Sequence, residues 1–156
     1  MKIKWKPFIL CLLIPLAVGG LSALLTQSSM AHFEALNQPP LSPPSWLFPV
    51  VWTILFILMG IASYLVYNAR QPQRQVRAAL GVYGVQLAFN FCWTLIFFNL
   101  SLYLFAFIWL VLLWLLILLT LIRFYRLSKT AGYLLLPYLL WVTFAGYLNF
   151  AIFLLN

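Results

Sequence analysis

Side chains able to move a proton, hold a metal or act as a nucleophile are scarce in this chain of 156 residues. Glu34 is its only acid, His32 its only histidine, and Cys11 and Cys92 its only thiols. One carboxylate rules out the paired carboxylates of general acid–base work. One histidine cannot make a two-histidine haem site, two isolated thiols give neither a disulfide framework nor a metal centre, and no phosphate-cradling glycine loop is present. No metal or resident cofactor is therefore expected. What the chain does carry is seven tryptophans, together with carboxamides at Gln86, Asn90 and Asn149 set within apolar runs. An amide in hydrocarbon is costly without a partner. A neutral pocket walled by indoles and tipped by amides suits a large, flat, hydrophobic ligand.

The elements that must position these groups follow from composition. With 66% of residues hydrophobic and 6% charged, the chain is outside the range of soluble domains. Five apolar runs between polar clusters are each long enough to cross a bilayer. The expected fold is an all-α integral membrane protein: one domain over 1–156, with helices at about 8–26, 46–67, 78–99, 102–123 and 131–154. A lid loop is expected over 27–45, holding His32, Phe33 and four prolines, Pro39, Pro40, Pro43 and Pro44. Those prolines stiffen the backbone, Ser42 is a candidate N-cap with Pro43 at the first helical position, and Pro49 would kink the helix that follows. A stiff loop feeding Trp52 into the membrane could roof a pocket or simply end in an interfacial aromatic anchor.

Helical spacing sorts the candidates onto faces. On the third span Tyr83, Gln86, Asn90, Trp93 and Phe97 fall within an arc of roughly 80°. Gly81, Gly84, Ala88 and Cys92 fall opposite, a smooth face suited to close approach by another helix, from this chain or from a second subunit. The second span aligns Phe48, Trp52, Phe56, Met59 and Ser63, and the fifth, entered through Pro137, aligns Tyr138, Trp141, Ala145 and Asn149. Such aromatic stripes are also what an ordinary core looks like. The amides favour a ligand cavity, because apolar packing alone has no use for them. On the first span Pro15, Gly19 and Ala23 recur every four residues, a stripe suited to helix packing, and Pro15 should bend it. The fourth, nearly pure Leu, Ile and Trp (Trp109 included), reads as a lipid-facing wall.

The net charge of +8 is one-sided. Lys2, Lys4 and Lys6 precede the first span, Arg70, Arg74 and Arg77 lie between the second and third, and Arg123, Arg126 and Lys129 between the fourth and fifth. In a five-span chain these segments share a side, which the positive-inside rule makes cytoplasmic, with the carboxyl terminus outside. Anionic lipid headgroups, not nucleic acid, are the expected partners of this charge. The basic, then apolar, start resembles a signal peptide; its length reads as an uncleaved first helix.

These residues together resemble the TspO/MBR family, that of the tryptophan-rich sensory protein, translocator protein or peripheral benzodiazepine receptor. The resemblance rests on the block from Leu36-Asn37-Gln38-Pro39 to Trp52-Thr53, on Gln86-Leu87-Ala88-Phe89-Asn90-Phe91-Cys92-Trp93 with Phe97-Phe98, and on Pro137-Tyr138-Leu139-Leu140-Trp141 with Leu148-Asn149. It spans essentially the whole chain. It implies a five-helix bundle in a bacterial cell membrane, commonly a homodimer, whose first loop lids a pocket for porphyrins (protoporphyrin, haem-type tetrapyrroles) and isoquinoline-type drugs. Trp52, Asn90, Trp141, Ala145 and Asn149 match the family's ligand-lining positions, with Trp93 on the same face. The resemblance implies stress sensing, tetrapyrrole transport or turnover. Its alternatives are light- and oxygen-dependent degradation of protoporphyrin, with Trp52 and Trp141 as the candidate catalytic residues, or a sterol-binding or scaffold role. His32-Phe33 stands where the family usually has Trp-Tyr, Gln38 replaces a frequent Lys and Leu41 a frequent Trp. The cholesterol motif is absent after Asn149, and only Leu121, Tyr125 and Lys129 fit its loose pattern.

Overall fold

The computed structural model describes residues 2–156, and the secondary structure among them is entirely helical. Helix α1, Trp5–Thr26, runs through a 3₁₀ turn at Gln27–Ser29 into the short α2, Met30–Glu34. Helix α3 is Leu47–Tyr67, and α4, Gln73–Thr94, continues as a π-helical turn over Leu95–Asn99. Helix α5 is Tyr103–Leu127, followed by α6, Lys129–Leu134, and α7, Leu136–Leu155. Five of these stretches are long and apolar enough to cross a membrane: Trp5–Glu34, Leu47–Tyr67, Gln73–Asn99, Tyr103–Leu127 and Lys129–Leu155.

Helices are what such a sequence must form in hydrocarbon, where every peptide group needs a partner within its own segment. The few hydroxyls obey the same constraint. Ser22, Thr26 and Thr120 each donate to the carbonyl four residues back, on Val18 (2.9 Å), Ser22 (2.8 Å) and Leu116 (2.7 Å). The break between α6 and α7 has a local cause. Pro137 has no N–H with which to continue the ladder, and Leu135 turns back to the Gly132 carbonyl three residues earlier (3.1 Å).

Several boundaries differ from those expected. Residues 27–34 of the expected lid loop are helical, which leaves an irregular connection over 35–46 and places His32 and Phe33 on a helix. Ser42 does not cap α3, and Pro43 does not start it. The Ser42 hydroxyl donates to Gln38 (3.3 Å), the Ser42 amide closes a turn onto Pro39 (3.3 Å), and the helix begins at Leu47. Pro49 therefore sits in the first turn of α3, where amides have no intrahelical acceptor, so it starts that helix instead of kinking it. Helix α4 begins five residues before the expected 78, which puts Arg74 and Arg77 on helix.

Helix α5 is not simply a lipid-facing wall. Ala106, Leu110, Leu113, Ile117, Thr120 and Phe124 are all buried on its inner side. Trp109 is half-buried, stacked on Phe89 (ring centroids 4.4 Å apart), and donates to the Phe89 carbonyl (2.9 Å), so it fastens α5 to α4. The periphery falls to α1, whose Leu10, Leu13, Ile14, Leu21 and Leu24 are exposed as a lipid-facing surface would be.

Helices α1 and α3 meet closely at one level. A Cβ on Gly60 would lie 2.9 Å from the Cys11 carbonyl oxygen and 2.9 Å from the Leu12 Cα, so only glycine permits this approach. The two helices are antiparallel: the Lys4 amide donates to the Tyr64 hydroxyl (2.9 Å), and Phe8 packs edge-on against the Tyr64 ring (5.2 Å).

Candidate functional site

Towards the other end of α1 and α3 the bundle holds a cavity of about 730 Å³, walled by α1, α3, α4 with its π-helical turn, and α7. Its size lies in the ~300–1,000 Å³ range of sites that take drug-sized ligands. Gly19 sets one edge: a Cβ there would fall 2.5 Å from the Phe56 ring, so the missing side chain lets Phe56 seat against α1. The stripe expected on α3 is realised, with Phe48, Trp52 and Phe56 on the wall and Met59 and Ser63 buried below. Trp52 stacks on Phe56 (5.6 Å) and meets Tyr138 edge-on (6.1 Å), while Phe48 meets Trp141 (6.1 Å).

From α4 and its π-helical turn come Asn90, Trp93 and Phe97, with Phe97 stacked on Trp93 (5.4 Å). The π-helical turn widens the helix where Phe97 and Phe98 enter the wall, a local distortion common at functional sites. From α7 come Trp141, Ala145 and Asn149. The structure thus gathers nine of the sequence candidates around one space. Gln86 and Tyr138 are not among its lining. They lie behind it, each 1% exposed.

The amides are largely committed to the protein, contrary to the expectation that packing has no use for them. Asn149 accepts from the Trp93 indole (3.0 Å) and donates to the Tyr103 carbonyl (2.8 Å), tying α7 to α4 and α5. Asn90 donates through Nδ2 to the Tyr138 hydroxyl (2.7 Å), which donates to Gln86 Oε1 (2.7 Å). Low-dielectric surroundings strengthen such bonds and make unpaired groups expensive. The indole Nε1 of Trp141 is buried without a partner among the described residues.

His32 is exposed, one residue before Phe33, and His32 is not part of the cavity wall. Phe33 is buried and packs edge-on against Phe48 (5.9 Å), Phe97 (5.9 Å) and Phe98 (5.2 Å), so it closes the end of the cavity as part of the core. Pro39 is buried, Pro43 half-buried, and Pro40 and Pro44 exposed. The connection they stiffen is fastened to the end of α7. The Asn37 amide donates to Asn156 Oδ1 (3.1 Å), Asn156 Nδ2 returns to the Asn37 carbonyl (3.1 Å), and the Tyr147 hydroxyl donates to the Pro40 carbonyl (2.7 Å).

Gly81, Gly84 and Ala88 are exposed, and a Cβ added at Gly81 or Gly84 would meet nothing, so this face packs on no part of its own chain among the described residues. Sequence reasoning missed the share of α1 in the wall, which includes Leu16, Ser22 and Ala23 beside Gly19. Its only signal was the spacing of Gly19 and Ala23. No group of acidic, histidine and cysteine side chains able to hold a metal occurs among the described residues, and both cysteines are free.

A profile of the TspO/MBR family matches residues 11–155. The chain belongs to the TspO/MBR family. Relatives within it include the tryptophan-rich protein TspO of Chlorobaculum tepidum, 42% identical over 94% of both chains. The tryptophan-rich sensory protein of Cereibacter sphaeroides is 35% identical over all of this chain and 95% of its own. The bovine translocator protein is 32% identical over 94% of this chain and 88% of its own. Membership of this membrane family, with five membrane-length helices, makes the chain an integral multi-pass membrane protein.

Proposed function

We propose that the cavity binds flat, largely apolar aromatic molecules, and that porphyrins such as protoporphyrin and haem-type tetrapyrroles are its physiological class, for sensing, transport or turnover. The observation that carries this reading is a space of about 730 Å³ bordered by Trp52, Trp93 and Trp141 and edged by the Asn90 amide. Indole faces favour stacking against a planar macrocycle, each such contact contributing on the order of 1 kcal/mol beyond area burial. Among the described residues Glu34 is the one charged residue on the cavity's border, and the rest of the lining is neutral and largely apolar, which suits an apolar ring. Names of family members, translocator and sensory protein, are compatible with a ligand-handling role.

Access from the bilayer fits the wall between α1 and α3, where Gly20, Leu24, Pro49 and Thr53 border the cavity and are exposed on the outer surface. We place the chain in a bacterial cell membrane with the basic end cytoplasmic and anionic lipids around it. Cysteine labelling of intact cells at positions 32 and 74 reads that orientation: reaction at 74 with protection at 32 contradicts it. A second copy of the chain is proposed to cover Gly81, Gly84 and Ala88.

The binding experiment is quenching of tryptophan emission by protoporphyrin. Asn90→Leu removes the amide that borders the cavity beside the indoles with no protein donor to its side-chain oxygen among the described residues, and its Kd should rise about five- to tenfold. Trp5→Phe, at the exposed start of α1, is the control and should bind as the parent does. Equal affinity for all three proteins would put the ligand elsewhere.

A further inference from the structure

Behind the cavity lies a chain of three buried polar side chains that touches it at one end only. Asn90 is 2% exposed and borders the cavity, whereas Tyr138 and Gln86 are each 1% exposed and do not. The links are short and directional: Asn90 Nδ2 donates to Tyr138 Oη (2.7 Å), and Tyr138 Oη donates to Gln86 Oε1 (2.7 Å). A phenol has one proton. Tyr138 gives it to Gln86 Oε1, an arrangement that leaves Gln86 Nε2 buried without a partner among the described residues. Tyr138 then accepts from Asn90, whose NH₂ group is turned inward. Its carbonyl oxygen is then the atom left for the cavity. The neighbouring amide, Asn149, has its oxygen engaged by Trp93 and its nitrogen by Tyr103, so it does not blur this polarity.

The geometry points to Gln86 and Tyr138 as positioning residues that fix Asn90 as a hydrogen-bond acceptor, and so select cavity ligands carrying an N–H or O–H donor over isosteres carrying only an acceptor. This rests on the reading of the cavity as a site for flat aromatic molecules. Selection of this kind is sharp where a buried polar group faces the wrong partner, since the mismatch leaves two groups unpaired at once. The relay also has an alternative state. If Gln86 could not accept, the Tyr138 proton would turn to Asn90 Oδ1, the amide would rotate, and Nδ2 would face the cavity as a donor. Gln86, which touches no ligand, therefore decides the sign of the preference.

The test uses two flat tricyclic probes of nearly equal size, carbazole with one N–H donor and 9-fluorenone with one carbonyl acceptor. Their affinities are measured calorimetrically on the full chain in detergent micelles. Asn90→Leu sets the baseline ratio without the Asn90 amide, and the Gln27 and Asn149 amides and the Trp141 indole are common to every protein compared. The parent should favour carbazole about fivefold beyond that baseline. Gln86→Leu should carry the ratio to the other side of the baseline, while Gln86→Glu, whose neutral carboxyl keeps a carbonyl acceptor for Tyr138, should restore the parent ratio. A merely structural role for Gln86 would weaken both probes alike and leave the ratio unmoved. Should Gln86→Leu not elute as a folded particle, Tyr138→Phe decides instead: it frees Asn90 to rotate, and the ratio should fall to the baseline.

A parent ratio at or below the baseline overturns the proposal, as does a ratio unchanged in the folded Gln86 or Tyr138 variant. Failure of both probes to bind the parent would instead remove the reading of the cavity itself, and the relay's role with it.

Discussion

Asn90 shows how a residue legible in the sequence can have its chemistry only half specified there. An amide on an apolar face announces a buried polar site, but not whether it serves a ligand or the fold. Its Nδ2 is held by Tyr138 for the fold, and its Oδ1 is the atom we propose to serve a ligand in the cavity that Asn90 borders. Replacing it with leucine is therefore not free of cost to the fold, as a bare buried amide would imply. The Tyr138 oxygen loses a donor, and stability should fall by about 1 kcal/mol alongside the loss of affinity. Thermal unfolding in detergent checks this, and a variant as stable as the parent would mean that the Asn90–Tyr138 bond contributes nothing. Asn149 is the opposite case, since its position suggests a ligand contact while both halves of its amide are used between helices.

At the scale of elements, the spans were readable because each must supply about 20 apolar residues, and composition alone marks them. The faces of α3, α4 and α7 were readable because polar and aromatic side chains at helical spacing have to point inward. Boundaries were not. Residues 27–34 look like a polar loop by composition, yet the 3₁₀ turn and α2 carry the first helix onward so that Phe33 can reach Phe97 and Phe98. The expected range of 46–67 falls within a residue of α3. The candidate cap at Ser42 with Pro43 was too early, drawn there by the proline pairs, whereas the proline used in the first turn is Pro49. The role of α1 was faint for a different reason: its contribution is an absence of side chain.

The close approach of α1 and α3 is testable at Gly60 of α3, where α1 backbone occupies the space a methyl group would need. Gly60→Ala gains helix propensity, about 1 kcal/mol, but collides with backbone that cannot rotate away, at a cost of about 1–3 kcal/mol. The expected result is a lower unfolding temperature, while Gly20→Ala, whose added methyl meets nothing, should not be lowered. A stabilised Gly60→Ala protein would show that α1 and α3 are not held this close.

For the whole molecule, the division of labour runs along the membrane normal. The glycine-mediated contact of α1 with α3 at Gly60 closes one end of that helix pair, and the aromatic cavity lies towards the other. The open face at Gly81, Gly84 and Ala88 lies outside both. If a second copy covers it, Gly84→Leu should shift the detergent-solubilised particle from dimer to monomer without loss of fold, as read by light scattering. A fully dimeric variant would move the interface elsewhere. The central claim, that this cavity is where a flat macrocycle binds, is tested most directly by filling it. Ala145→Phe adds a ring into the empty space from α7, beside Trp141 and Asn149. Titration with protoporphyrin, followed by tryptophan quenching, should then show affinity at least tenfold weaker than the parent's in a protein that elutes and unfolds normally. Undiminished affinity in that folded variant would contradict the account.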